Sequence, residues 1–180
     1  FLHRFSIHTE LGYFYDKVRI DNLSSGQQTI RTSGLGDLAI NFRYMPVKTF
    51  RPVSVLLVSA GFRLPIGDFD EEIDGITIPI SLQPSSGALK YNFSAFYSIK
   101  PGDSRFGINS FFLYETSKTI KKGYLIYRYG DYMQFSVAGT YSVTKNLGAT
   151  LNAKVEWRNN DTRENDMEVK STGSTAVYVN

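Results

Sequence analysis

The sequence LGATLNAKVEWR, at residues 147–158, alternates apolar and polar residues without interruption. Its apolar positions share one parity and are Leu147, Ala149, Leu151, Ala153, Val155 and Trp157. Successive side chains of a β-strand point to opposite faces. The pattern therefore predicts a strand with one apolar and one polar face.

The same alternation recurs along most of the chain and predicts an all-β protein. Seven further segments carry it, at about 3–16, 37–45, 53–64, 88–99, 105–115 and 131–143, and from about 169 onward. The 12 Tyr and 13 Phe favour strands as well. These segments run to about 9–14 residues. Strands of soluble proteins have roughly 5–6 residues, whereas a tilted membrane-crossing strand needs roughly 9–11.

The connections between the segments alternate between long and short. The long ones are residues 17–33, 67–87, 116–129 and 159–168, and the short ones are 46–52, 101–103 and 144–146. Outer-membrane barrels have long extracellular loops and short periplasmic turns. We therefore predict an antiparallel, up-and-down transmembrane β-barrel that occupies residues 1–180 as a single domain and is incomplete at both ends.

Alternation alone also fits a soluble β-sandwich, in which the apolar face would form the core. A lipocalin-like soluble binder is a third architecture with this pattern. Aromatic residues near the segment ends favour the membrane barrel, because such rings lie at membrane interfaces. They are Tyr13, Tyr15, Tyr44, Tyr97, Tyr114, Tyr141 and Trp157.

Composition excludes several classes of function. The chain lacks Cys, so disulfides and thiol chemistry are absent. Its net charge is +3, and its basic residues are spread along the segments among acidic ones, which argues against nucleic-acid binding. No apolar run is long enough for a transmembrane helix.

Four short motifs occur at the segment ends. They are Ser33-Gly34-Leu35-Gly36-Asp37-Leu38, Arg63-Leu64-Pro65-Ile66-Gly67-Asp68, Gln83-Pro84-Ser85-Ser86-Gly87 and Tyr127-Arg128-Tyr129-Gly130-Asp131. We interpret their Gly and Asp residues as turns in which glycine adopts a positive φ. These turn residues are Gly34, Gly36, Gly67, Asp68, Gly130 and Asp131.

In this order, over residues 33–175, the motifs resemble those of the phenol-degradation meta-pathway transporter-like family of outer-membrane barrels, which are FadL-like in style. The family often has Thr at the position of Ile66. The resemblance implies a fragment of a barrel of about 12 or more strands, with a complete barrel of about eight strands as the alternative. It also implies passive passage of small molecules, hydrophobic ones among them.

The polar faces carry charges that would line the barrel lumen. The predicted lumen-lining residues are Asp37, Arg43, Arg63, Lys90, Arg105, Glu115, Lys154, Glu156 and Arg158, with Arg4, Glu10 and Asp16 on the same faces of the first segment. In a narrow barrel such charges would pair and seal the lumen. In a wider one they would line a channel with weak anion preference.

Other candidate sites are weak. Ser6, His8 and Glu10 share one strand face, but neighbours two apart lie roughly 6–7 Å from each other, too far for a catalytic hydrogen bond. The second histidine, His3, falls on the apolar face. We therefore expect no enzyme.

Two charged loops are interpreted as solvated. The acidic one contains Asp68, Asp70, Glu71, Glu72 and Asp74 and lacks the residue order of a calcium loop. The basic one contains Lys118, Lys121 and Lys122. We expect no metal and no cofactor.

The sequence thus predicts a porin-like protein of a Gram-negative bacterial outer membrane. Its expected partners are outer-membrane lipid and lipopolysaccharide, other outer-membrane proteins, and no nucleic acid. The alternative function is a non-enzymatic structural subunit of a larger outer-membrane complex.

Overall fold

The protein folds into fourteen strands in a computed structural model, described over residues 4–23, 26–69, 72–73, 76–122, 125–144, 147–164, 167–170 and 172–179. The strands are β1 (Phe5–Leu23), β2 (Gly26–Phe50), β3 (Val53–Leu64), β4 (Glu72–Ile73), β5 (Ile76–Thr77), β6 (Lys90–Lys100), β7 (Phe106–Ser117), β8 (Ile120–Lys122), β9 (Leu125–Arg128), β10 (Tyr132–Ser142), β11 (Gly148–Arg158), β12 (Asp161–Arg163), β13 (Met167–Val169) and β14 (Ser174–Val179). One short 3-10 helix covers Ile80–Leu82. Among the described residues, no helix is long and apolar enough to cross a membrane.

Eight of the strands form one curled antiparallel sheet in the order β1-β2-β3-β6-β7-β10-β11-β14. Each strand pairs with the next long strand along the chain, so the topology is up and down. The sheet has the shape of a half-barrel. The predicted all-β, antiparallel, up-and-down fold class is confirmed.

The edges of this sheet are β1 and β14, and no pairing joins them in the part of the chain that the structure describes. The arrangement is therefore neither a closed eight-stranded barrel nor a two-sheet sandwich. A half-barrel is compatible with the predicted piece of a larger barrel.

Two predicted connections are strand instead. Residues 17–33 were expected to form a long loop, yet β1 and β2 stay paired from Lys17 with Thr32 to Leu23 with Gly26. The many polar residues of this segment indicated a loop, but the segment forms an extended hairpin. β2 also continues past Pro46 to Phe50, with an irregular register between Tyr44 and Val47. Proline lacks an N–H and is tolerated at such a bulge.

The other long connections are packed structures. We call the described residues of 65–89, 118–131 and 159–173 together the cap. The cap contains the β4–β5 hairpin, the short helix and a second sheet in the order β13-β12-β9-β8. β13 occupies the expected start of the eighth long segment, which begins instead at Ser174.

The best-buried side chains lie mainly in the cap. Ala88, Ile120 and Tyr127 form a core cluster against which Phe69 and Val169 pack. This cluster joins all three connections. In the curled sheet, by contrast, large apolar residues of one face are exposed, among them Ile7, Phe93, Phe135, Leu151 and Val177.

Candidate functional site

The polar face of the sheet borders the cavities, so it is the concave face. Register places Glu10, Ala39, Arg63, Lys90 and Ser117 opposite one another across β1, β2, β3, β6 and β7. Directly opposed residues of neighbouring strands share a face. Arg63 and Lys90 are therefore adjacent cations.

A second row lies two residues farther from the cap. It runs Asn41, Gly61, Asn92, Glu115, Tyr132 and Arg158 across β2, β3, β6, β7, β10 and β11. The Lys90 ammonium lies 3.6 Å from a carboxylate oxygen of Glu115, and the two side chains are 12% and 22% exposed. The same ammonium lies 4.4 Å from the centre of the Tyr129 ring.

Two guanidinium groups of these rows lack such partners. Among the described residues, no ion pair or hydrogen bond engages the side chain of Arg63. The Nε atom of Arg158 is buried and has no hydrogen-bond partner there. The concave face therefore carries two guanidinium groups that none of the described residues neutralises by direct contact.

Two cavities meet at these rows. One, of about 280 Å³, lies between the cap and the sheet and is lined by Asp37, Arg63, Lys90 and Tyr129. The other, of about 500 Å³, continues along the concave face and is lined by polar residues and by Leu57, Phe96 and Phe111. Glu10 and Arg63 line both cavities.

Asp37 attaches the cap to the sheet. Its carboxylate accepts hydrogen bonds from the Ser85 hydroxyl at 2.6 Å, the Ser86 amide at 3.0 Å and the Ser86 hydroxyl at 2.5 Å. Nearby, the Thr32 hydroxyl donates to the Leu82 carbonyl at 2.6 Å, and the Lys17 ammonium donates to the Gln83 carbonyl at 2.6 Å. Two of the sequence motifs thus bind each other.

The four glycines predicted to form turns serve close approach and do not adopt the turn conformation expected for them. Positive φ among the described glycines occurs at Gly87 and Gly102, and the interpretation of Gly34, Gly36, Gly67 and Gly130 as positive-φ turns is therefore wrong. A Cβ on Gly67 would lie 1.8 Å from the Leu35 carbonyl oxygen.

The other motif glycines are crowded too. A Cβ on Gly34 would lie 3.0 Å from the Pro84 ring, and one on Gly36 would lie 3.0 Å from the Phe14 ring. The Asp68 carbonyl accepts a hydrogen bond from the Ser85 amide at 3.1 Å. The first three motifs therefore pack against one another, and the contact of Gly67 with Leu35 leaves no room for a side chain.

The fourth motif joins the other two connections of the cap. The Gly130 amide donates to Asp161 at 2.7 Å, and the Tyr127 hydroxyl donates to the same carboxylate. Asp131 accepts from the Thr116 hydroxyl at 2.6 Å and from the Tyr114 hydroxyl at 3.2 Å, which fixes the motif to β7.

Tyr129 links this motif to the first connection. Its hydroxyl donates to the Ser86 carbonyl at 2.8 Å. Burial raises the pKa of Tyr129, and it also raises that of Tyr127, where the hydrogen bond to Asp161 adds to the effect. The sequence did not predict the hydrogen bonds of Tyr127, Tyr129 and Asp161, because each of them joins residues that are distant in sequence.

The remaining predicted lumen residues are dispersed. Arg43 lines the larger cavity. Lys154 and Glu156 pair with each other at 2.9 Å, away from Arg63. Arg105 lies at the opposite end of the sheet, exposed, where it donates to the Val143 carbonyl at 3.3 Å.

The residues weighed for catalysis and metal binding are described only in part. Ser6, His8 and Glu10 are all exposed along β1. Among the described residues, no cluster of three or more potential metal ligands occurs. His3, Asp70, Glu71 and Asp74 lie outside the described residues, as does the side chain of Lys122, whereas Glu72, Lys118 and Lys121 are exposed.

Arg4 and Asp16 complete the predicted polar face of the first segment. Arg4 donates to the Pro46 carbonyl at 3.4 Å, and Asp16 forms an exposed ion pair with Arg31.

Comparison of the chain with protein-family models and with curated proteins gives no match.

Proposed function

We propose that this chain is part of a bacterial outer-membrane β-barrel that lets small molecules pass through its lumen. One observation carries the proposal. The sheet exposes a continuous apolar face on its convex side, while its concave side holds charged residues and a cavity of about 500 Å³. Lipid would cover the first face, and water and solute would occupy the second.

The lumen would narrow towards the cap. The cavity beneath the cap, about 280 Å³, is close to the lower limit of small-molecule sites, roughly 300 Å³. Passage would need neither cofactor nor energy, and the solutes would be small, hydrophobic ones among them. The family resemblance to meta-pathway transporter-like barrels points to the same class of function.

The test is solute uptake by liposomes that contain the full-length protein. We expect faster swelling in a small uncharged sugar than liposomes without protein show. Ser94 lines the larger cavity, whereas its neighbour Phe93 lies on the exposed apolar face. Ser94→Trp should slow swelling and Phe93→Trp should not.

Equal swelling with and without protein would contradict the proposal. Location is tested separately by membrane fractionation of the source bacterium. The protein should sediment with lipopolysaccharide, and recovery in the soluble fraction would contradict a membrane barrel.

A structural subunit of an outer-membrane complex is the second candidate. It is favoured by ion pairs on the concave face, Lys90 with Glu115 and Lys154 with Glu156, and by the packed cap. Native mass spectrometry after mild extraction separates the two functions. A partner at fixed stoichiometry would favour the complex, and a lone barrel would favour passage.

A further inference from the structure

Arg63, which no described residue neutralises by direct contact, lines both cavities where they meet. Arg63 and Lys90 are directly opposed on β3 and β6. Such neighbours have Cβ atoms roughly 4.5–5.5 Å apart, and like charges in this position are destabilising.

Three described carboxylates line these cavities, and two of them are already engaged. Glu115 forms the ion pair with Lys90. Asp37 accepts three hydrogen bonds from Ser85 and Ser86. Glu10 lines the same cavities but makes no ion pair with Arg63 among the described residues.

We infer that Arg63, together with Lys90, binds the carboxylate of a small organic acid in the cavity beneath the cap. The inference rests on the proposed passage function and specifies the class of solute. A guanidinium group offers a planar pair of N–H donors that matches a carboxylate. The bound anion would supply the counter-charge that the described residues do not give to Arg63.

The cavity lining favours an organic acid over an inorganic anion. Phe14 and Ile80 line the smaller cavity together with the cations. Leu57, Phe96 and Phe111 lie farther along the concave face in the larger one. An acid with a short apolar chain would contact such side chains while its carboxylate pairs with Arg63.

The test is calorimetric titration of the full-length protein in detergent with sodium butyrate. We expect saturable binding that Arg63→Gln weakens roughly tenfold or more, since a charged hydrogen bond is lost. Glu115→Gln should tighten binding, because it removes the counter-charge of Lys90. Arg31→Gln is the matched control, because the Arg31 side chain is 69% exposed and lines none of the described cavities.

Each outcome decides the inference. If Arg63→Gln does not fold, as judged by heat-modifiable mobility, Lys90→Gln replaces it and should also weaken binding, because Lys90 lines the same cavity. Absence of butyrate binding, equal affinity in the Arg63 and Arg31 variants, or binding of inorganic phosphate but not butyrate would overturn it. Butyrate binding without liposome swelling would refute passage alone, and swelling without binding would refute this inference alone.

Discussion

The Asp37 carboxylate attaches the cap to the sheet, and Asp37→Ala should release that contact. Three hydrogen bonds are lost, two from hydroxyls and one from the Ser86 amide. A hydrogen bond to a charged group contributes roughly 1.5–3 kcal/mol, and such contributions are not additive. Water also replaces part of the lost contacts, so we expect cap docking to weaken by about 3 kcal/mol.

Hydrogen exchange read by mass spectrometry measures this loss directly. Since about 1.4 kcal/mol corresponds to a tenfold change in an equilibrium constant, exchange in the peptide around Ser86 should accelerate roughly 100-fold. The long strands should exchange as before, because their ladders do not involve Asp37. Asp37→Asn should have an intermediate effect, since its amide oxygen still accepts hydrogen bonds.

Asp16→Ala is the matched control on the same hairpin. Its carboxylate lies 3.6 Å from Arg31, and the two side chains are 40% and 69% exposed. An exposed pair of this kind contributes roughly 0–1 kcal/mol. Unchanged exchange around Ser86 in Asp37→Ala, or an equal change in the two variants, would refute the role of Asp37 as the attachment of the cap.

Three further perturbations test other parts of the structure. Gly67→Ala places a methyl group against the Leu35 carbonyl and should disrupt cap packing, seen as faster proteolysis of the cap. Burial and the hydrogen bond to Asp161 raise the pKa of Tyr127, so this contact stabilises the fold fully below pH ~10 and is lost as the pH rises further. Absorbance at 295 nm should show one late-ionising tyrosine fewer in Tyr127→Phe. Phe135→Lys should cost roughly 2–4 kcal/mol when the protein unfolds from lipid vesicles, because Phe135 lies on the apolar face.

These perturbations have controls and contrary results. As the control for Gly67→Ala, Gly12→Ala should leave the rate of cap proteolysis unchanged, because no atom lies within 4 Å of an added Cβ there. Gln134→Lys changes the concave face beside Glu156 and should destabilise far less than Phe135→Lys. Equal loss in the two lysine variants would mean that lipid does not contact the convex face. Loss of a tyrosine that ionises in the ordinary range, with the late-ionising group unchanged, would contradict the raised pKa of Tyr127.

The long central strands could be predicted from the sequence alone. β3 covers the predicted segment 53–64, and β11 begins one residue after the predicted segment 147–158 does. In both strands, successive side chains lie alternately on the convex and the concave face of the sheet, so the apolar positions recur with period two. Turn residues such as those at 101–103 then fix the ends of the strands.

The cap could not be predicted in the same way. Its strands have two to four residues, too few for a periodic pattern. Ser85 is 1% exposed although serine is usually a surface residue, because its hydroxyl donates to Asp37, which is distant in sequence. The sequence motifs marked the right residues, but their pairing depends on the three-dimensional course of the chain.

The concave site could be predicted only in part, because the sequence does not determine the register between neighbouring strands. Alternation assigns a charge to the polar face but does not say which strand residues stand opposite each other. Arg63 and Lys90 become neighbours only through the β3–β6 register, whereas Arg105, on the same kind of face, lies at the other end of the sheet. A shift of two residues along either strand would preserve the alternation and separate the cations.

Different interactions stabilise the sheet and the cap. The predictions for Phe135→Lys and Asp37→Ala can therefore be tested separately. The cap has its own buried cluster and polar contacts, whereas the sheet exposes its large apolar side chains on the convex face. A charge introduced at Phe135 should therefore change the stability of the sheet to an extent that depends on the surrounding lipid. It should leave the cap contacts intact. Loss of the Asp37 carboxylate should affect the cap in lipid and in detergent alike, because all its partners belong to the protein.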